Sequence, residues 1–279
     1  MTKHPLTIAT AQSYVSADVE ENGCEVRRLM TQARQAGADL IHFTEGALSG
    51  YVKKQIKSWE EVDWVLLRCE LEATTNLAGE LGIWTVLGCN HRLTPPNRPH
   101  NSLYIISAEG ELRTRYDKQW CSHAELFDWY TPGQGLCVFE LNGWRFGCAI
   151  CIEIQFPELF LAYAKSEVDC MLFSPYPNAA MFGVQAQGYA ASHNVWFSVS
   201  VPAQMSHVLS SRMIAPDGEL QEVCERDAST FALNMLDPEA PELEISLNYA
   251  KPWRREARAG DIYRPRYVTD PRSEERTKF

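Results

Sequence analysis

The sequence predicts an α/β fold built from two similar halves. Short apolar segments of strand length are separated by longer amphipathic segments before residue 90, and the same alternation returns after residue 169. Strands that are connected through helices form a largely parallel sheet with helices on its faces. Between the two stretches, Glu109-Gly110 and Asn142-Gly143 are turn signals that predict hairpins.

In the first half, hydrophobic periodicity predicts three strands, two helices and a hairpin. The expected strands lie at 6–11, 38–43 and 83–89, the helices at 24–35 and 61–81, and the hairpin at 102–116.

The second half repeats this order after a hairpin at 137–150. Its Asn-Gly turn is the stronger of the two turn signals, because both central residues of such a turn need positive φ. Gly-Glu-Leu occurs at 110–112 and again at 218–220, which gives weak support for two packed sheets. A strand is expected at 169–174, a helix at 181–192, a strand at 195–201 and a further hairpin around Asp217-Gly218.

The chain is expected to form one domain, residues 1–260. Its 279 residues suffice for a sizeable core, and no Pro/Gly/Ser-rich linker interrupts the apolar segments between 6 and 236. The chain then turns polar and Pro-rich, with many Arg side chains and the aromatic residues Trp253, Tyr263 and Tyr267. Because such a segment rarely forms a core by itself, residues 261–279 are expected to be a tail that packs on a partner subunit.

Composition excludes several classes of protein. The 26 basic and 36 acidic side chains give a net charge of −10, which argues against a nucleic acid ligand. The amino end lacks the basic and long apolar regions of a signal peptide, and no run of 18 apolar residues follows. We therefore expect a cytoplasmic protein that does not bind membranes. Nine cysteines, mostly inside apolar runs, indicate reduced and buried thiols.

The segment 144–158 is the most informative part of the sequence. An apolar strand runs into Cys151, and Phe156-Pro157-Glu158 then opens a helical stretch. Backbone N–H groups and the helix dipole at such a place favour a reactive thiolate and would stabilise an oxyanion. The same thiol would also fit as one more small buried apolar side chain.

Cys148 and Cys151 also form a Cys-x-x-Cys pair, which is typical of redox and zinc sites. On an extended segment, however, side chains three apart point to opposite faces and cannot share a bond or a metal. Cys121 and His123 are the nearest other candidates, and they form no standard ligand set. No metal and no cofactor are therefore expected.

Two charged residues follow predicted strands. Glu45 lies where the strand 38–43 gives way to a glycine-bearing loop, which is where open sheets place their ligands. Lys118 follows Tyr116-Asp117 at the end of the first hairpin. Taken singly, each of these residues also fits an ordinary solvated side chain.

The order of Glu45, Lys118 and Cys151 resembles the catalytic triad of the nitrilase (carbon-nitrogen hydrolase) superfamily. The resemblance covers approximately residues 5–236. The short motifs that carry the resemblance are Phe43-Thr44-Glu45, Ser49-Gly50-Tyr51, Tyr116-Asp117-Lys118, Thr131-Pro132-Gly133, Cys151-Ile152-Glu153 and Phe156-Pro157-Glu158.

This resemblance implies a four-layer αββα sandwich of two mixed sheets flanked by helices, in a homodimer or higher homo-oligomer. It implies that Cys151 is the nucleophile, Glu45 the base and Lys118 the charge stabiliser. A second glutamate that orients the lysine is expected at Glu125, with Asp128 as the fallback. The helix 184–194 lacks the Arg-Ala pair usual in the family, although Asn194 fits, and Trp120 and Cys121 are unusual after the lysine.

The implied function is hydrolysis of a small-molecule carboxamide through a cysteine thioester. An N-carbamoyl amide, a nitrile or an acyl transfer would use similar chemistry, and Ile152 stands where true nitrilases commonly have Trp. A catalytically silent binding or scaffold protein is the alternative of another class. The residues expected to line the pocket are Trp120, Trp129, Tyr176 and Met181, whose aromatic members would equally suit a core, and the backbone N–H of Ile152 is expected to hold the oxyanion.

Overall fold

Two six-stranded mixed sheets packed face to face form the centre of the protein in the computed structural model, which describes residues 3–277. The first sheet has the strand order β12-β1-β2-β3-β4-β5, and the second has the order β11-β10-β9-β8-β7-β6. The strands are β1 (Leu6–Gln12), β2 (Leu40–His42), β3 (Trp84–His91), β4 (His100–Ile106), β5 (Leu112–Asp117), β6 (Val138–Leu141), β7 (Trp144–Ile150), β8 (Cys170–Ser174), β9 (Trp196–Val199), β10 (Arg212–Ile214), β11 (Leu220–Val223) and β12 (Thr230–Leu236).

The two sheets share one topology. β1, β2 and β3 are parallel, as are β7, β8 and β9, and the remaining strands pair antiparallel. β12 takes the place beside β1 that β6 has beside β7. The expected pair of similar halves and the αββα sandwich are therefore confirmed.

Helices cover the outer faces of both sheets. α1 (Val19–Gln35) and α2 (Trp64–Leu81) cover the first sheet, and α3 (Pro157–Lys165) and α4 (Met181–His193) cover the second. The helices α5 (Lys251–Ala259) and α6 (Pro271–Glu274) follow β12. Among residues 3–277, none of these helices combines the length and the apolar character that crossing a membrane requires.

Successive side chains along each strand point to opposite faces of the sheet, and this alternation divides the core into layers. Ile8 of β1 points to the second sheet and packs in the cluster that contains Phe146 and Phe197, whereas its neighbour Ala9 packs in the cluster beneath α1 and α2. This is the period of two that places successive side chains on opposite faces of a strand. Leu159 and Phe182, on α3 and α4, close the opposite outer face.

Helix ends lie where capping residues place them. The Asp18 side chain accepts hydrogen bonds from the N–H groups of Glu20 and Glu21, so α1 begins five residues before the position expected from apolar periodicity. Asp63 caps α2 in the same way, and Gly82 ends it with the left-handed φ of 64° that glycine tolerates best.

The sequence did not predict α5. This helix packs on the second half mainly through charged groups: Lys251 Nζ lies 3.0 Å from Asp169 Oδ1, and Arg258 donates to the carbonyl of Ser192 at 2.8 Å. Cations at the last carbonyls of a helix are favourable, and Ser192 lies in the last turn of α4.

The oligomer and the packing of the tail on a partner subunit stay predictions. Residues 1–2 and 278–279, the ends of the expected domain and tail, lie outside the described part.

A polar network joins the two sheets at their centre. His42, the last residue of β2, bonds through Nδ1 to Ser198 Oγ and through Nε2 to Ser174 Oγ, each at 2.8 Å. Ser198 Oγ also lies 2.7 Å from Thr10 Oγ1. Burial lowers the pKa of His42 to about 3, so the ring is neutral in the folded protein. These bonds oppose any sliding of one sheet over the other.

We predict that His42→Leu lowers the free energy of unfolding by about 2 kcal/mol at pH 7.5, because it removes the partner of two buried hydroxyls. The difference from the wild type should shrink towards pH 5. The pKa of His42 lies below its unfolded value, so the unfolded chain binds the extra proton and the wild type loses about 2 kcal/mol of stability as the pH falls through 6.5 to 5. Urea denaturation at both pH values measures this.

The matched control is His207→Leu, since His207 is exposed in a loop. It should follow the wild type at both pH values. A gap between wild type and His42→Leu that stays constant with pH would contradict a neutral, buried His42.

Candidate active site

Three of the sequence-predicted residues form one buried charge cluster. Lys118 follows β5, and its Nζ lies 3.1 Å from Glu45 Oε1 and 2.9 and 3.0 Å from the two carboxylate oxygens of Glu125. Glu45 stands three residues after β2, and Glu125 begins a single turn of π-helix, Glu125–Trp129. Each of the three side chains is at most 1% exposed. Asp128, the fallback position, is exposed to solvent.

The charges in this cluster are unequal. Burial disfavours the Lys118 ammonium, but Glu45 and Glu125 more than offset it, so its pKa is raised well above the usual value and the group stays charged. Burial also acts on Glu125, but Lys118 outweighs it and lowers the pKa of that carboxyl. For Glu45, burial together with the Glu125 charge prevails, and its pKa is raised. Glu45 is therefore the carboxylate of the pair that more readily takes up a proton.

Fixed donors hold both carboxylates in place. Asn101 Nδ2 donates to Glu45 Oε1 at 2.6 Å, and the backbone N–H of Tyr176 donates to Glu45 Oε2 at 3.0 Å. Glu125 accepts from the backbone N–H of Ser122 at 2.8 Å and from the Tyr51 hydroxyl at 3.2 Å. Both carboxylates are therefore positioned by the protein as well as by the ammonium.

Cys151 directly follows the last residue of β7, where the chain turns sharply. Its backbone has φ of 52°, in the left-handed region that non-glycine residues rarely adopt, and such strained positions concentrate at functional sites. Its Sγ donates to the carbonyl of Tyr176 at 3.7 Å. Because the N–H of the same Tyr176 bonds Glu45, one residue brings the sulfur and the carboxylate to the same place.

The expectation of a stabilised thiolate was wrong. Burial, followed by the Glu45 charge, raises the pKa of the Cys151 thiol well above its usual value, and Lys118 offsets this only in part. The physical reason is the local geometry: Cys151 opens a short 3₁₀ turn, Cys151–Gln155, and α3 begins only at Pro157. The resting thiol is therefore protonated, and its activation needs a base.

Glu153 locks the turn that carries Cys151. Its carboxylate accepts from the N–H groups of Ile150 and Gln119, each at 2.7 Å, and of Trp120 at 3.1 Å. The hydroxyl of Tyr116 donates to the same carboxylate at 2.8 Å. Burial raises the pKa of Glu153 to about 7, against the opposing effect of these donors. The side chain ties the Cys151 turn to the segment that follows Lys118.

Sequence reasoning gave no role to Asn101 or Glu153. Asn101 carried only a weak signal, since it is an amide near the start of a strand whose last four residues are apolar. Glu153 belongs to the family motif Cys151-Ile152-Glu153, but its partners Tyr116 and Gln119 lie at the end of another hairpin, and spacing along the chain does not reveal such contacts.

The residues expected to line the pocket lie in different surroundings. Tyr176 is the one that bonds the cluster directly, and its ring stacks on Tyr51 at 4.8 Å. Trp120 stacks on Phe156 at 5.3 Å, and Trp129 packs edge-on against Trp59 at 5.7 Å. Ile152 is partly buried in the Cys151 turn, and Met181 is half exposed at the start of α4. Their roles towards a substrate stay predictions.

The first cysteine of the Cys-x-x-Cys pair has another neighbour. Cys148 on β7 lies across from Cys137, and the two thiols share a hydrogen bond. All nine cysteines are free thiols. Within residues 3–277, no group of three or more His, Cys, Asp or Glu side chains is arranged to hold a metal ion.

Comparison with curated proteins and family models places the chain among known sequences. The carbon-nitrogen hydrolase family model matches residues 6–242. N-carbamoylputrescine amidase of Solanum tuberosum is 30% identical over 182 residues, which cover 62% of this chain and 58% of that protein. Omega-amidase of Xenopus tropicalis is 24% identical over 238 residues, which cover 76% of this chain and 82% of that protein.

Solved structures are similar over a larger share of the chain. A mutant amidase of Nesterenkonia AN1 from the nitrilase superfamily superposes with a TM-score of 0.75 at 17% identity, over 96% of this chain and 98% of that one. The two proteins therefore share one fold. A nitrilase and fragile histidine triad fusion protein of Caenorhabditis elegans also matches in sequence, but the match spans only 40% of that longer protein. With a family model matched from 6 to 242, the chain belongs to the carbon-nitrogen hydrolase family.

Proposed function

We propose that the protein hydrolyses a small carboxamide through a thioester on Cys151. The observation that carries this proposal is the buried ammonium between Glu45 and Glu125, with the backbone of Tyr176 joining Glu45 to the sulfur. A nucleophile, a proton acceptor and a cation are the three groups that amide cleavage needs.

In the first half-reaction, Glu45 takes the proton of the thiol as Cys151 Sγ attacks the carbonyl carbon. Lys118 and the N–H of Ile152 stabilise the oxyanion that forms. When the tetrahedral intermediate collapses, the C–N bond breaks and Glu45 returns the proton to the departing amine. The raised pKa of Glu45 suits this role, because a base must hold the proton long enough to pass it on.

In the second half-reaction, Glu45 removes a proton from water, which attacks the thioester. The C–S bond then breaks, the carboxylic acid leaves, and the thiol regains its proton. Glu125 acts through Lys118: its lowered pKa keeps it anionic, and an anion at 2.9 Å keeps the ammonium charged and oriented. Glu125 is therefore a positioning residue in this mechanism.

The substrate is proposed to be small. Cys151 is 8% exposed and the three charged groups are almost fully enclosed, so little room is open to a large acyl group beside the sulfur. Among the structural relatives, a mutant amidase of Nesterenkonia sp. AN1 was solved in complex with butyramide, a four-carbon amide. A carboxamide of about this size is the first choice.

The second candidate is a small N-carbamoyl compound. It is favoured by the similarity to N-carbamoylputrescine amidase, and the same three groups would serve its cleavage. A nitrile is a weaker candidate because Ile152 follows the cysteine. Ammonia alone would indicate the amide, whereas ammonia together with carbon dioxide would indicate the carbamoyl compound.

We predict that Cys151→Ala folds normally and loses all turnover, because no other group in the cluster can form the acyl intermediate. Ammonia release from simple amides, carbamoyl compounds and nitriles measures activity, and intact mass spectrometry detects an acyl adduct on the wild type. The control is Cys69→Ala, which removes an exposed thiol on α2. Turnover by Cys151→Ala, or an adduct on it, would refute the nucleophile; complete inertness of the wild type would favour a scaffold.

We predict that Glu45→Gln slows both acylation and deacylation by about 10²- to 10⁴-fold, the usual effect of losing general acid-base help. The amide oxygen, placed where Oε1 lies, can still accept from Asn101 and Lys118, and only the bond from the Tyr176 N–H is lost, so the fold is expected to persist. Rapid-quench measurement of the burst and of the steady state separates the two steps. Glu158→Gln, on the exposed start of α3, is the isosteric control. Nearly unchanged rates would leave Glu45 with a structural role only.

We predict that Lys118→Met abolishes activity and also destabilises the fold by about 3–5 kcal/mol, because it leaves two carboxylates buried without a cation. Adding Glu125→Gln removes one of the two charges and should recover part of the stability. Activity should nevertheless stay at least about 10²-fold low, since the oxyanion still lacks its ammonium. Urea denaturation and initial rates are measured on the same samples; recovery of the rate together with stability would make Lys118 merely structural.

A further inference from the structure

A second cavity lies at the other end of the second sheet. It has a volume of about 470 Å³, within the range of small-molecule sites. Its walls include the first residues of β7 and β9, the two residues that precede β8, and α5. Cys151 follows the opposite end of β7, a strand of seven residues that spans roughly 20 Å. The cavity is therefore separate from the site of the proposed chemistry.

The lining is positive although the whole chain carries −10. Five cationic side chains line the cavity, against two carboxylates. Both carboxylates are already paired: Asp169 Oδ1 lies 2.6 Å from Lys3 Nζ and 3.0 Å from Lys251 Nζ, and Glu167 pairs with Arg255. Among the described residues, Arg258 has no carboxylate partner, and Arg145 Nε has only Glu140 Oε1, at the longer distance of 3.7 Å.

Two lining residues have buried polar atoms that make no hydrogen bond. Arg145 Nε and His193 Nδ1 make no hydrogen bond within the described part of the chain, although buried polar atoms in proteins are nearly always bonded. Arg145 approaches a carboxylate no closer than 3.7 Å, to Glu140. Burial, reinforced by Arg258, lowers the pKa of His193 to about 4, so its neutral ring can offer Nδ1 as a donor. Both atoms suit the oxygens of an anion.

The rest of the wall is apolar. Trp144 and Trp196 meet edge to face at 5.2 Å, and Val195, Pro252 and Leu247 line the same space. The indoles are 1% and 4% exposed and lie beneath the wall, so a ligand that fills this volume must bury apolar surface against Leu247 and Pro252 as well as satisfy the cations.

We propose that this cavity binds a small anion with a flat apolar body, namely an aromatic carboxylate or an aromatic phosphate monoester. Arg145 and Arg258 contact the charged group, His193 donates to it, and the ring packs against Leu247 and Pro252. The site is independent of amide hydrolysis, so its occupancy is measured by binding alone.

The test is isothermal titration calorimetry of the full chain with 1-naphthoate, 1-naphthyl phosphate and 1-naphthylmethylammonium. We expect one site per chain for the anions, with a dissociation constant below about 1 mM, and much weaker binding of the cation with the same ring. The tighter of the two anions identifies carboxylate or phosphate as the charged group.

Variants locate the site. Arg258→Gln and Arg145→Gln should each weaken anion binding about tenfold or more, as the loss of a charge-assisted hydrogen bond does. Arg264→Gln, an exposed tail residue paired with Asp261, makes the same change of charge outside the cavity and should bind like the wild type. Arg258 lies on α5 and bonds only a carbonyl of α4, so its loss should not unfold the protein.

Three results would overturn the proposal: no heat of binding for either anion at about 1 mM, a cation that binds as tightly as the anions, or unaltered affinity in both Arg145→Gln and Arg258→Gln. Because none of these measurements involves turnover, they stand or fall separately from the activity of Cys151.

Discussion

A buried ammonium held between two carboxylates is the interaction on which the site depends. Removing Lys118 from water is costly, and only two opposite charges at bonding distance make its charged form stable there. The two acids are not equivalent, because Glu125 holds the ammonium with both oxygens and Glu45 with one. This asymmetry separates a permanent counter-ion from a carboxylate that is able to exchange a proton.

The packing of the two sheets brings a carboxylate that follows a strand of one sheet close to a sulfur that follows a strand of the other. The chain just after β2 runs alongside the chain just after β8 through successive contacts: His42 bonds Ser174, Thr44 donates to the carbonyl of Pro175, and Glu45 accepts from Tyr176. Each step along one segment is matched by a step along the other. The packing of the two sheets therefore places Glu45 within reach of the residue that also contacts Cys151.

Much of this arrangement could be predicted from the sequence, because hydrophobic periodicity and turn residues are local. They located all the strands from β1 to β11, and the order of glutamate, lysine and cysteine indicated the family and the fold. Contacts between distant segments had no such signal. Asn101 and Glu153 acquire their partners only when strands from different parts of the chain meet. The helix α5 was missed for a related reason: five of its nine residues are charged, and it is held by ions and by carbonyls of α4.

The error about the thiol is instructive for the proposed mechanism. A strand end followed by a helical stretch suggested a thiolate, but enclosure beside Glu45 raises the pKa of the sulfur instead. The same enclosure raises the pKa of Glu45, so donor and acceptor are shifted in one direction. Proton transfer between two groups that burial shifts alike demands less free energy than transfer from a buried thiol to an ordinary solvated carboxylate, because the difference between the two pKa values sets that free energy. Burial therefore keeps the sulfur protonated at rest, while the raised pKa of Glu45 offsets part of the cost that burial adds to the proposed proton transfer.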